Sequence, residues 1–417
     1  MATRSIDELD PYTLPLDKFD ISDPALFQQD VHWDYFKRLR AEDPVNYCPE
    51  SPYGPYWSIT KYQDILEVDS NWKAFSSFNC LTFDEIRFAG ATEDATPAGG
   101  FIVMDPPEHD TQRKIVSPAI APSNIALLES LMRQRTQDVL AELPVGEEFD
   151  WVERVSVELT TLMLATLLDF PMERRSELKF WSDAASGTPG DGVIESWEHR
   201  DSVLKEMAAT FMQLREERRK SDVKPDLISM LAHSPMASDM SDYDYIGNVA
   251  LLIVGGNDTT RNTMSGSIIA FNAFPDQWEK LRAHPELVES MVPEAIRYQT
   301  PVIYLGRRAT QDYQLRGKTI RKGDKVIMWF ISGNRDEEVI DSPEEFIIDR
   351  KRPRQHLSFG FGVHRCLGNR LAEMQLRVLW EEILNKGWNR IEITVPVKRA
   401  YASNLRGIDA LPVRIHP

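Results

Sequence analysis

Cysteine is scarce in this chain: Cys48, Cys80 and Cys366 are the only three in 417 residues. Three scattered thiols argue against a disulfide framework or a cysteine-rich zinc site, and they cannot make a four-thiolate iron–sulfur cluster. Long apolar runs are also missing. The longest, 158–170 and 249–256, fall short of the roughly 20 residues that cross a bilayer. The irregular segment 1–30 carries neither a signal-peptide pattern nor an anchor. No long Lys/Arg run appears, and a net charge of −17 repels a polyanion, so nucleic acid is not an expected partner. With 42% hydrophobic and 10% aromatic residues the chain can still bury a sizeable core. These features describe a globular, cytoplasmic protein, expected to be a monomer.

Helical periodicity dominates what is there. Helices are expected over 32–43, 108–116, 123–143, 151–168, 241–274, 285–300 and 366–386, with acidic first turns and Pro or Gly between them. A strand pair is expected over 45–59, and β-branched residues near Ile303, Val326 and Ile327 mark a lesser strand-rich portion. The 241–274 pattern predicts a helix of about 45 Å that runs through the body. Segments 76–107 and 187–193 lack periodicity and are candidate lids. No internal repeat or low-complexity linker divides the chain, which reads as one mainly α domain over 1–417, with a long central helix and a smaller β-rich portion.

Buried lone cysteines are usually inert, and Cys48 and Cys80 are read that way. Cys366 differs. The run from Phe359 to Gly368 holds three glycines and two aromatics just before the last long helix, so the backbone can approach a large flat partner. Unpaired N–H groups at a helix start would favour the thiolate. The glycines also suggest a dinucleotide fingerprint, but no βαβ pattern surrounds them.

The spacing of Phe359, Gly362, His364, Cys366 and Gly368 resembles the haem-binding signature of the cytochrome P-450 superfamily, the haem-thiolate monooxygenases. Three further segments resemble the same family. Gly255-Gly256-Asn257-Asp258-Thr259 in the central helix is similar to its oxygen-activation motif. Two glycines inside a helix cost about 1 kcal/mol each, which calls for a reason: either close approach of a diatomic ligand or tight helix packing. Glu294 and Arg297 resemble the Glu-x-x-Arg motif, with Arg350 as the second arginine, implying a structural role beneath the haem. His109 and Arg113, one helical turn apart, match partners of the haem propionates, as do Arg307 and His364. Arg308 fits the alignment less well than Arg307.

The resemblance implies haem b (iron protoporphyrin IX), with Cys366 as the iron ligand, and Gly255, Gly256 and Phe359 against the cofactor. A thiolate ligand favours O–O cleavage of dioxygen. Asp258 would relay protons, and Thr259 would hold a water in a kinked part of the central helix. Electrons would come from a separate iron–sulfur ferredoxin and its NAD(P)H-dependent ferredoxin reductase, docking on Arg113, Lys114, Arg365, Arg370 and Arg377. Residues 249–262 and 362–376 resemble the soluble bacterial branch that hydroxylates n-alkanes and fatty acids at the terminal carbon. Leu251, Val254, Gly255, Ile303 and Leu405 would wall the substrate, although Ile303 and Leu405 also suit a plain core. A terpene or aromatic hydroxylase is the alternative substrate class. A peroxygenase and a non-enzymatic haem sensor are more distant: Asp258 and Thr259 speak against the first, and the second needs an output module.

Overall fold

The computed structural model describes residues 10–78, 80–83, 100–187, 192–224, 226–234, 237 and 240–417. The candidate lid segments, and the start of the 1–30 segment, lie partly outside the described residues.

Apolar positions spaced at helical period give α1 (Trp33–Glu42), α2 (Tyr62–Ser70), α3 (Glu108–Val116), α4 (Pro122–Ala141), α5 (Glu158–Leu168), α6 (Arg175–Ser186) and α7 (Trp197–Arg219). The core element is α8 (Asp242–Ala273), 32 residues long, followed by α9 (Val288–Gln299) and α10 (Asn369–Asn385). The expected 151–168 helix is in two parts: a π-helical stretch, Val152–Val157, runs directly into α5. The last helix starts at Asn369, three residues beyond Cys366.

Ser241 caps α8, its hydroxyl accepting from the Asp244 N–H at 3.0 Å, and Asp242 and Asp244 complement the positive end of the helix. A helix buried on most sides needs partners for its polar groups. Asn257 Oδ1 accepts from Thr160 Oγ1 at 2.9 Å, and Asn262 Oδ1 accepts from the Ile408 N–H at 2.8 Å. Gly266 is required where α8 meets α9, because a Cβ there would lie 2.3 Å from Gln299 Oε1.

The β-rich portion is a five-stranded sheet of β1 (Val45–Cys48), β2 (Tyr56–Ile59), β3 (Phe75–Ser76), β4 (Leu305–Ala309) and β5 (Lys325–Met328), in the order β1-β2-β5-β4-β3. Only the β2–β5 pair is parallel. A smaller antiparallel sheet joins Glu148–Asp150, Pro412–His416 and Arg390–Ile393. Among the described residues no single helix is long and apolar enough to cross a membrane.

Candidate active site

Gly360 and Gly362 hold positive φ values of 62° and 64°, which shape the loop before Cys366. A Cβ at Gly362 would sit 2.7 Å from the Asp69 carbonyl oxygen, so the loop lies directly on the end of α2. The Cys366 N–H donates to the Phe359 carbonyl at 2.7 Å and closes the turn. Cys366 is surrounded by protein yet keeps accessible surface, as a side chain beside an internal space does. Burial pushes its thiol above the ordinary value, against the opposing pull of the Gly368 and Asn369 N–H groups, Arg113 and Arg365. The Gly368 and Asn369 N–H groups thus pull in the direction expected of a helix start, against the desolvation that burial adds.

The other candidate residues converge beside it. His109 and His364 meet edge to face at 4.5 Å, and Arg113 lies 5.7 Å over the Phe101 ring and donates to the Arg365 carbonyl at 2.5 Å. Burial, Arg307, His109 and Arg113 together hold the His364 imidazole down at about 2. His109 Nε2, Arg113 Nη1 and both ring nitrogens of His364 are buried without a hydrogen bond of normal geometry. Buried polar atoms left in this state are rare. Strand parity turns Arg307 inward, 1% exposed, while Arg308 turns out to donate to the Gly323 carbonyl. Gathered cations and orphaned donors suit a dianionic ligand, and a thiol opening on the same space suits its iron. The residues present therefore fit haem.

On α8 a stripe of Leu251, Leu252, Val254, Gly255, Gly256 and Thr259 keeps accessible surface in the middle of a buried helix. A Cβ at Gly255 would meet nothing within 4 Å, and one at Gly256 only Leu164 Cδ1 at 3.6 Å. Tight packing against protein is thus not what these glycines serve. Asn248 Nδ2 donates to Gln112 Oε1 at 2.8 Å and ties this helix to α3. The Thr259 hydroxyl donates to the Gly255 carbonyl at 2.9 Å, within a stretch that is α-helical throughout. Asp258 points away from the stripe, fully buried, toward Arg261 at 3.1 Å and the Ser186 hydroxyl at 3.2 Å. Burial raises its carboxyl, Arg261 opposing and Asp183 adding to the rise.

Glu294 accepts from Arg297 Nε and Nη2, both at 2.8 Å, from Arg350 Nε at 2.9 Å and from the Ile347 N–H at 2.9 Å. Burial works to raise its carboxyl, yet the two guanidinium groups bring it below the usual range.

Two expectations fail on geometry. Ile303 is 0% exposed, packed with Tyr304, Trp329 and Phe83 in a separate aromatic core, and has no free surface. Its neighbour Val302, bridged to Leu405, is half-buried instead, as is Leu305. The basic docking patch is also smaller than expected. Arg377 is neutralised by Glu129 at 2.8 Å and Glu381 at 3.0 Å, in a groove where Arg354 and Arg370 face Glu289 and Glu373. Lys114, Arg365 and Arg370 remain exposed and without an ion pair among the described residues. Asp69, which binds Arg307 at 2.7 Å, belonged to no recognisable motif.

A thiol loop, a cradle of cationic donors and a glycine stripe in one fold define a haem-thiolate protein. The model of the family described as Cytochrome P450 matches residues 193–386. The chain is 36% identical to linalool 8-monooxygenase of Pseudomonas putida, over 96% of this chain and 100% of that one. It is similar to the solved Cytochrome P450-153 from Novosphingobium aromaticivorans (42% identity, 95% and 99% of the two chains, TM-score 0.86). It is also similar to CYP153D17 from Sphingomonas sp. PAMC 26605 (40% identity, 97% and 100%, TM-score 0.90). The chain belongs to the cytochrome P450 family. It is a monooxygenase that binds haem b and works with O2 and a redox partner.

Proposed function

We propose that this enzyme hydroxylates the terminal carbon of n-alkanes or medium-chain fatty acids, with electrons from an iron–sulfur ferredoxin. The observation that carries the reading is the uncharged stripe of α8, where Leu251, Leu252 and Val254 flank Gly255 while Asp258 is turned away. Such a wall offers an alkyl chain burial and offers a polar substrate little. At about 0.8 kcal/mol per methylene, ten carbons gain ~8 kcal/mol, enough for micromolar binding before ordering costs. Resemblance of residues 249–262 and 362–376 to the alkane and fatty-acid branch supports the same class.

Haem under a thiolate supplies O2 activation and C–H oxidation. Cys366 Sγ would hold the iron, and His109, Arg113, Arg307 and His364 would neutralise the propionates. Leu251, Val254, Val302 and Leu405 would exclude inner carbons, since each 1.4 kcal/mol of steric preference is tenfold in rate. Asp258, its carboxyl raised by burial, would hold a proton and turn from Arg261 to pass it toward Thr259, whose oxygen remains free to accept. Thr259→Ala should divert electrons into peroxide; full coupling of NADH to product would remove that role.

A terpene substrate is the second reading, favoured by the match to linalool 8-monooxygenase. Turnover with dodecane, lauric acid and linalool separates the two. Mainly 1-dodecanol and ω-hydroxylaurate support terminal chain hydroxylation, while turnover of linalool alone, or mainly inner-carbon alcohols, overturns it.

A further inference from the structure

Asp69 stands between the two halves of the site. It is the penultimate residue of α2 and 3% exposed. One carboxylate oxygen, Oδ1, accepts from Arg307 Nη2 at 2.7 Å, and the other, Oδ2, accepts from the Phe361 N–H at 2.7 Å. A Cβ at Gly360 would lie 3.2 Å from Oδ2, so the carboxylate also leans on the glycine turn of the cysteine loop. Arg307 Nη1 donates to the Gly306 carbonyl at 2.7 Å, which fixes the guanidinium from a second side. A single buried carboxylate therefore joins the loop that ends in Cys366 to the arginine read above as a propionate partner.

We propose that Asp69 is a positioning residue for the haem: it locks the Cys366 loop and the Arg307 guanidinium into one geometry, and its charge lowers the reduction potential of the iron. The inference rests on the assignment of Arg307 to a propionate. Reduction adds an electron, so a nearby negative charge disfavours it and removal of that charge favours it. At an effective dielectric constant near 20, a unit charge acting through the protein interior changes the ferrous-to-ferric ratio by about tenfold.

The test uses purified holoprotein in a spectroelectrochemical titration without substrate or redox partner. Asp69→Asn keeps an acceptor for the Phe361 N–H and removes the charge; at a fixed potential the ferrous-to-ferric ratio should rise about threefold to tenfold, with the thiolate-type carbon monoxide band retained. Asp69→Glu keeps the charge but displaces it by one methylene, so its ratio should stay within about twofold of wild type while haem transfers to apomyoglobin several times faster. An unchanged ratio in Asp69→Asn, or equal shifts in both variants, overturns the electrostatic role. If Asp69→Asn gives no holoprotein, Asp69→Glu decides, and native haem transfer in it overturns the tie. Unchanged haem transfer in Arg307→Gln, with Asp69 intact, removes the propionate assignment and overturns the proposal that Asp69 positions the haem through Arg307.

Discussion

Gly255 offers the sharpest contrast between a glycine kept for packing and one kept for a ligand. Gly255→Ala adds a methyl that meets no protein atom within 4 Å and replaces the poorest ordinary helix former with the best, a gain of about 1 kcal/mol. Gly266→Ala, eleven residues along the same helix, places its methyl 2.3 Å from Gln299 Oε1 and 2.5 Å from Cδ. Gln299 is 3% exposed and bound to the Arg406 carbonyl, so it cannot move aside freely, and overpacking of this kind costs about 1–3 kcal/mol. Both substitutions share the helix gain, so unfolding free energies from urea titration of the two holoproteins should differ by the overpacking alone: Gly255→Ala up to ~1 kcal/mol above wild type, and Gly266→Ala about 1–3 kcal/mol below Gly255→Ala. Ligand binding should show the reverse order. Carbon monoxide affinity of the reduced protein should fall about tenfold in Gly255→Ala and stay native in Gly266→Ala, because a misplaced methyl in a tight site costs on that scale. A Gly255→Ala variant that is destabilised as much as Gly266→Ala, with native carbon monoxide binding, would refute the reasoning.

Glu294→Gln should cost about 3–5 kcal/mol, since it leaves Arg297 buried without its counter-charge, and should lower the melting temperature by ~4–6 °C; a melt unchanged from wild type contradicts the buried-pair account. Acid should weaken the fold through His32 and His356, each held down at about 3, by burial and Arg406 in the first and by burial and Arg297 in the second. Both are neutral when folded and take up a proton near 6.5 when unfolded. Their contribution is whole above that value and falls with pH, by about 1.4 kcal/mol per unit for each. His356→Asn should remove about 1.4 kcal/mol per pH unit from the slope between pH 6 and 4.5, and a slope unaffected by the substitution argues against it. Charge reversal at Lys114, Arg365 and Arg370 should slow reduction by ferredoxin about tenfold at low salt, with the difference shrinking as salt rises; rates equal to wild type across ionic strengths would exclude that surface.

Much of this architecture was readable from periodicity. The helix spanning 108–116 begins and ends where its acidic first turn and the following Ser-Pro place it, and the 241–274 pattern differs from α8 by one residue at each end. The cysteine segment was legible because unusual backbone needs glycine at Gly360 and Gly362. What escaped depends on partners distant in sequence. Arg377 looks like a free surface cation until α4 brings Glu129 against it. Ile303 and Val302 are both apolar, and only the local backbone decides which one faces the aromatic core. Asp69 is one carboxylate among many until the loop 292 residues away folds onto it. The pull of the helix start on Cys366 was visible, but the competing desolvation required the whole protein around it.

The carbon monoxide difference spectrum of the reduced protein tests the Cys366 assignment most directly, recorded for wild type and for Cys366→His. The wild type should show the red-shifted Soret band of thiolate ligation, and the variant an imidazole-type band. A thiolate band that persists after Cys366 is replaced, or an imidazole-type band in the wild type, would contradict the account.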